Sequence, residues 1–135
     1  MNRAIAITLT VVAAPAAVFL AVGGGDAPDG DGSSAHLVIP NLSSRAHTGR
    51  EHFAAACGSC HGAYGEGSDV GPVLIHALYG EEVFRDAQIM NAVRHGASAR
   101  NWPFGDMPAM KNVSDDQLAL MIGFLREVQT ANGVE

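Results

Sequence analysis

The chain has 135 residues, which is enough for one domain. Its net charge of −6 argues against a nucleic-acid-binding protein, because such proteins present a basic surface to the phosphates. The charge excludes little else, since mild acidity is common among soluble proteins.

The first 22 residues form a separate apolar segment. Arg3 precedes residues 4–22, which carry no charge and include Pro15. This segment fits either a cleaved secretory signal peptide or an uncleaved membrane anchor, since about 20 apolar residues are needed to cross a bilayer. Pro15 and the many alanines slightly favour cleavage. Both interpretations place the rest of the chain outside the cytoplasmic membrane.

Residues 23–44 are predicted to form a flexible linker. Their Gly, Asp and Ser content leaves little apolar area to bury. Leu37-Val38-Ile39-Pro40 is a short apolar patch within it, which either packs on the domain as a strap or has no structural role. Residues 45–135 are predicted to form the folded domain.

The first helix of the domain is predicted to begin at Thr48. Thr48 as N-cap and Glu51 three residues later fit a capping box, and the helix continues through Phe53 into Cys57. Gly49 and Phe53 are four residues apart and share a face, where the glycine permits close approach of another helix.

The two cysteines of the chain both lie in Cys57-Gly58-Ser59-Cys60-His61, the C-x-x-C-H pattern of c-type haem attachment. Residues three apart lie on one face of a helical turn, so both thiols can form thioethers with the haem vinyl groups. His61 can then bring an imidazole nitrogen to the iron as proximal ligand.

Three other interpretations of this motif explain less. A thioredoxin-like redox motif requires a βαβ context, and a helical pattern precedes Cys57 instead. A zinc site requires four ligands, and no second cysteine pair or closely spaced histidine pair follows. A plain disulfide would leave His61 without a reason.

Two further helices are predicted after the motif. One runs from Asp86, as N-cap, to His95 and stops at Gly96. The other begins with the capping box Ser114-Asp115-Asp116-Gln117 and ends at Asn132-Gly133. Its apolar face comprises Leu118, Met121, Ile122, Leu125 and Val128. No segment shows strand alternation, so the predicted fold is all-α, with three main helices and glycine-rich loops wrapped around a cofactor.

Residues 45–131 resemble a class I cytochrome c, a single-haem domain of bacterial electron-transfer chains. The resemblance lies in the two outer helices, the haem motif and the loops, namely Cys57 to Gly62, Gly65-Glu66-Gly67, Gly71-Pro72, Gly96, Met107-Pro108-Ala109 and Ser114. It implies a right-angle crossing of the first and last helices, at which Gly49 and Phe53 would meet Leu120, Gly123 or Phe124.

The resemblance also implies the ligands of one covalent haem c. Cys57 and Cys60 would attach the haem, His61 and Met107 would bind the iron, and the carbonyl of Pro72 would accept a hydrogen bond from His61. Met110 is the competing methionine. Pro108 favours Met107, because it keeps the local chain extended and non-helical.

The remaining methionines and histidines are weaker ligand candidates. Met90 and Met121 occupy apolar helix positions that suit core packing. The histidines with ordinary surface interpretations are His36, His47, His52, His76 and His95. For the haem propionates, Trp102, Tyr64 and Tyr79 are possible donors, and Arg94 and Arg100 possible counter-charges. Simple packing or exposure explains each of these five residues equally well.

The resemblance implies a one-electron carrier that is not an enzyme by itself. A His/Met pair favours a positive midpoint potential, and redox partners would dock transiently. We expect it in the periplasm or anchored on the outer face of the bacterial cytoplasmic membrane. The alternatives are a subunit of a membrane oxidoreductase, a haem sensor or enzyme with an open sixth position, and a haem-free C-x-x-C protein.

Overall fold

The computed structural model describes residues 36–135, so the predicted N-terminal segment and most of the predicted linker lie outside it. Four α-helices form this part: α1 (Ser44–Ala56), α2 (Gly58–His61), α3 (Asp86–His95) and α4 (Asp115–Ala131), with a 3-10 helix at Ala77–Tyr79. Residues 36–135 contain isolated bridges but no strand, which confirms the all-α prediction. No helix among them is long and apolar enough to span a membrane.

The predicted start of the first helix is wrong. α1 begins four residues earlier, after the N-cap Ser43, whose hydroxyl oxygen accepts a hydrogen bond from the Ala46 N–H at 3.2 Å. Thr48 lies inside the helix. Glu127 of α4 explains the shift, because its carboxylate accepts hydrogen bonds from the Ser43 hydroxyl at 2.6 Å and the Ser43 N–H at 2.9 Å. This tertiary contact has no counterpart in the local sequence pattern.

α1 packs against α4 through a glycine. A Cβ atom on Gly49 would overlap the backbone oxygen of Leu120 and lie 3.0 Å from Cβ of Phe124. Phe53 and Phe124 are both buried, with ring centroids 5.5 Å apart. Of the partners predicted for this contact, Leu120 and Phe124 are therefore present, whereas Gly123 is exposed and faces open space.

The other helix boundaries agree closely with the sequence prediction. The capping box of α4 is present, since Ser114 Oγ accepts from the Gln117 N–H at 3.2 Å and Gln117 Oε1 accepts from the Ser114 N–H at 2.9 Å. α3 ends at Gly96, but its N-cap is Arg85 rather than Asp86. The Arg85 N–H donates to Gln88 Oε1 at 2.9 Å, so this cap lies one residue earlier than the side-chain pattern indicated.

Residues 37–43, here called the strap, lie on the helical domain. Leu42 is buried and Leu37 packs against the core, whereas Val38 and Ile39 expose their side chains. The backbone N–H and C=O of Val38 both bond to the side-chain amide of Asn132, at 2.8 Å each. The later part of the predicted linker is thus fixed to the C-terminal end of α4.

Candidate haem-binding site

A cavity of about 650 Å³ lies beside the core. Its walls come from α3, α4, the loop between them and the segment that follows the C-x-x-C-H motif. Of the five predicted cofactor-binding residues, four line it, namely Cys57, His61, Pro72 and Met107. Cys60 is exposed and does not. The volume falls in the range of cofactor pockets, which is roughly 300–1,000 Å³.

His61 is held in one orientation by the loop that follows it. It is 9% exposed, and its Nδ1 lies 2.9 Å from the carbonyl oxygen of Pro72. A carbonyl oxygen only accepts, so Nδ1 carries the proton and donates. With the proton on Nδ1, the lone pair of Nε2 is the one available to bind a metal ion.

Two glycines let this loop return to the motif. Gly67 has φ +85°, its N–H donates to the His61 carbonyl at 2.7 Å, and an added Cβ would lie 2.8 Å from the Val73 nitrogen. At Gly71 a Cβ would lie 2.5 Å from the Cys60 carbonyl oxygen. Only glycine fits at these two positions without a clash. The turn that the glycines permit brings the Pro72 carbonyl within hydrogen-bond distance of His61.

The two motif cysteines lie one helical turn apart and are not joined in a disulfide. Burial, with a smaller contribution from the charge of Cys60, raises the pKa of the Cys57 thiol to about 11. Cys57 is therefore a neutral thiol near pH 7. Cys57 lines the cavity, whereas Cys60 is exposed to solvent.

Met107 is fixed by a backbone pair at the base of its loop. The Ala97 N–H donates to the Met107 carbonyl at 3.0 Å, and the Met107 N–H donates to the Ala97 carbonyl at 2.8 Å. Asp106 closes the same loop by accepting from the Ala99 N–H at 2.8 Å. Met110 packs against the core and is not among the residues that line the cavity.

The predicted propionate contacts divide into two groups. Trp102, Tyr79 and Arg100 line the cavity, and Trp102 Nε1–H donates to the Tyr79 hydroxyl at 2.9 Å. Tyr64 packs on Phe124 instead, and Arg94 binds the Val113 carbonyl and the Asp115 carboxylate.

Among the six histidines, all of which lie in residues 36–135, His61 is the one that lines the cavity. His76 lies nearby, with its ring 5.5 Å from Trp102, centroid to centroid.

Two polar residues were not predicted from the sequence, namely Gln129 of the site and Arg126, which binds it. Gln129 is only 1% exposed and lines the cavity. Its amide bonds Arg126 and the carbonyls of Leu74 and Tyr79. Position 129 lies seven residues after Ile122 and four after Leu125 on α4, so a polar residue on that face was the available signal.

The chemistry of this cavity fits a haem group. It combines a largely apolar lining, an imidazole with one free nitrogen, a thioether sulfur and a motif of two thiols one turn apart. In c-type proteins an imidazole nitrogen and a thioether sulfur bind the haem iron. The two thiols of the motif attach the haem through its vinyl groups. Elsewhere in residues 36–135, no group of three or more His, Cys, Asp or Glu side chains could hold a metal ion.

The all-α fold and this site define a cytochrome c domain. A family model described as "Cytochrome C oxidase, cbb3-type, subunit III" matches residues 44–125, and the chain belongs to this family. No curated protein and no solved structure matches the chain. Membership supports haem-based electron transfer as the function of the domain.

Proposed function

We propose that the protein is a one-electron carrier with a single haem c, bound through Cys57 and Cys60 and ligated by His61 and Met107. The observation that carries this proposal is that His61 and Met107, from separate elements, line one apolar cavity. When bound, the haem supplies an iron centre that alternates between ferrous and ferric states. His61 and Met107 would together leave the bound haem iron no site for a further ligand, so the domain would not be an enzyme by itself.

The residues of the chain set the properties of that centre. The Pro72 carbonyl, 2.9 Å from Nδ1 of His61, orients the ring and raises its basicity at Nε2. A thioether at the sixth position favours ferrous iron, so we expect a positive midpoint potential. Met107 is preferred over Met110 because Met107 lines the cavity and Met110 does not.

The protein functions outside the cytoplasmic membrane, where c-type haem is attached in bacteria. Residues 1–22 either direct secretion or remain as an anchor. Mass spectrometry of the protein from membrane and soluble fractions distinguishes the two. The same spectra report covalent haem as added mass, and a haemochrome spectrum in alkaline pyridine identifies its type.

A second candidate function is supported by the family match. The family description names a subunit of a cbb3-type cytochrome c oxidase, so the domain could pass electrons within such a complex rather than diffuse. Purification from native membranes in mild detergent tests this idea. Co-elution with an oxidase core would favour a resident subunit, whereas elution as a single chain would favour the carrier.

Carbon monoxide separates the carrier from a haem sensor or enzyme. The reduced carrier should bind the gas slowly or not at all at neutral pH, because Met107 must first leave the iron. Rapid binding by the unmodified protein, or a strongly negative midpoint potential, would reject Met107 as the sixth ligand.

A further inference from the structure

One wall of the cavity consists of a segment with little regular structure. Residues 74–86 contain the three-residue 3-10 helix followed by turns, and Leu74, Tyr79 and Phe84 of this segment line the cavity. The backbone hydrogen bonds within residues 76–84 join residues three or four apart. Such a segment opens easily unless other elements hold it.

Arg126 of α4 holds this wall at several points. Its side chain is 14% exposed and donates to the Tyr79 carbonyl at 2.8 Å, the Phe84 carbonyl at 2.7 Å and the Asp86 carboxylate at 3.0 Å. A guanidinium offers five donors in a rigid plane, so one side chain can fasten all three groups.

Gln129 completes the contact from the next turn of α4. Its Oε1 accepts from Arg126 at 2.6 Å, and its Nε2 donates to the carbonyls of Leu74 at 2.8 Å and Tyr79 at 3.0 Å. This pattern fixes the amide orientation, because the oxygen faces donors and the nitrogen faces acceptors. Together the two side chains hold three backbone carbonyls and one carboxylate of the wall.

Gln129, which Arg126 holds, lies between the cavity and solvent on this side. Beyond it lies an open groove of about 500 Å³, lined by Arg126 and Gln129 and by the charged side chains Glu81, Glu82 and Arg85. Gln129 lines both the groove and the cavity. If the pair were released, the groove and the cavity would join, and water would reach the apolar interior. Solvent access of this kind controls the redox potential of a metal site.

We propose that Arg126 is a positioning residue that locks the wall of residues 74–86 against α4 and keeps water from that side of the haem. The inference rests on the proposed function, because it assumes haem in this cavity. It assigns Arg126 no contact with the iron or its ligands.

Arg126→Gln and Arg126→Lys test the proposal in the full-length haem protein, with Arg45→Gln as control. Arg45 is exposed on α1 and makes none of the hydrogen bonds to the wall, so the control removes one positive charge and leaves those bonds intact. Amide hydrogen exchange reports wall opening, and redox titration reports haem solvation. In Arg126→Gln we expect exchange in residues 76–86 to be about tenfold faster or more, since several hydrogen bonds are lost. The midpoint potential should fall.

Arg126→Lys should give intermediate values for both measurements, since a lysine keeps the charge but loses the planar fork. Arg45→Gln should leave both unchanged. Unchanged exchange and potential in Arg126→Gln, or an equal fall of potential in Arg45→Gln, would overturn the proposal.

Should Arg126→Gln fail to fold, Asp86→Asn replaces it, because this variant weakens one contact and keeps the arginine. It should speed exchange in residues 84–86, and unchanged exchange there would count against the lock. Absence of haem from the unmodified protein would reject the proposed function, whereas the exchange results would still judge the role of Arg126 in the wall.

Discussion

At the scale of single residues, Ser43 joins two helices. Its hydroxyl oxygen accepts from the Ala46 N–H to cap α1, while its hydroxyl and N–H both donate to the Glu127 carboxylate of α4. These bonds lower the pKa of Glu127, first through the Ser43 side chain and then through its backbone. One serine thus both starts a helix and positions it.

Ser43→Ala should destabilise the protein by about 1 kcal/mol at neutral pH, the usual cost of losing an N-cap. The loss of unfolding free energy caused by Ser43→Ala should be smaller in acid. The folded pKa of Glu127 is lowered, so its stabilising bonds are present above its ordinary pKa and disappear as the pH falls through the folded value. Urea unfolding at several pH values measures this. Ser44→Ala is the control, and equal losses in the two variants at every pH would contradict the role of Ser43.

At the scale of helices, α1 and α4 meet at a position that admits no side chain. Gly49→Ala should destabilise the protein by about 1–3 kcal/mol, because the new methyl group meets the Leu120 backbone rather than a movable side chain. Gly123→Ala is the matched change on the exposed face of α4. It should stabilise by up to about 1 kcal/mol, since alanine is the better helix former and nothing lies within 4 Å.

Thermal unfolding of both glycine variants, followed by circular dichroism, gives the comparison. An unchanged unfolding temperature in Gly49→Ala would mean that α1 and α4 can separate without a loss of stability. This result would contradict the close contact of Gly49 with the Leu120 backbone.

The strap depends on one side chain at the end of α4. Asn132→Ala removes both bonds to Val38, so amide exchange and proteolysis in residues 37–43 should increase. The haem spectrum should stay the same, because Asn132 does not line the cavity. Asn41→Ala, which alters an exposed residue within the strap, is the control. Equal proteolysis in the two variants would assign the strap's order to Leu37 and Leu42 instead.

The helices differ in how far the sequence determines them. α4 was predictable, since Ser114 and Gln117 form a local capping box and the apolar residues recur at helical spacing. The start of α1 was not predictable, because the N-cap Ser43 is held by a hydrogen bond to Glu127, which lies 84 residues away in the sequence. The strap's contact with Asn132, 94 residues away, likewise has no local signal.

At the scale of the whole molecule, the domain is built around a cavity. Cys57, His61 and Pro72 follow one another in a short stretch of sequence, so this side of the site could be inferred from the motif and its following proline. Met107 was inferred from Pro108 and the family resemblance. The wall of residues 74–86 and its lock by Arg126 could not be inferred, because they depend on contacts between residues 40 or more positions apart in the sequence.

A cavity of about 650 Å³ in this small domain predicts that folding depends on haem. Unfilled apolar space is costly, and the haem fills this space only when the chain is folded. The double variant Cys57→Ala/Cys60→Ala, which cannot form thioethers, should show reduced helix content and broadened proton NMR signals. A sharp, native-like spectrum without haem would contradict this dependence.

The proposed function requires that one haem iron is bound between His61 and Met107. X-ray absorption at the iron edge of the reduced protein distinguishes the ligands, because sulfur and nitrogen scatter differently. We expect one sulfur in the first coordination shell of the unmodified protein and of Met110→Leu, and none in Met107→Leu. A sulfur that persists in Met107→Leu, or a first shell of nitrogen alone in the unmodified protein, would contradict it.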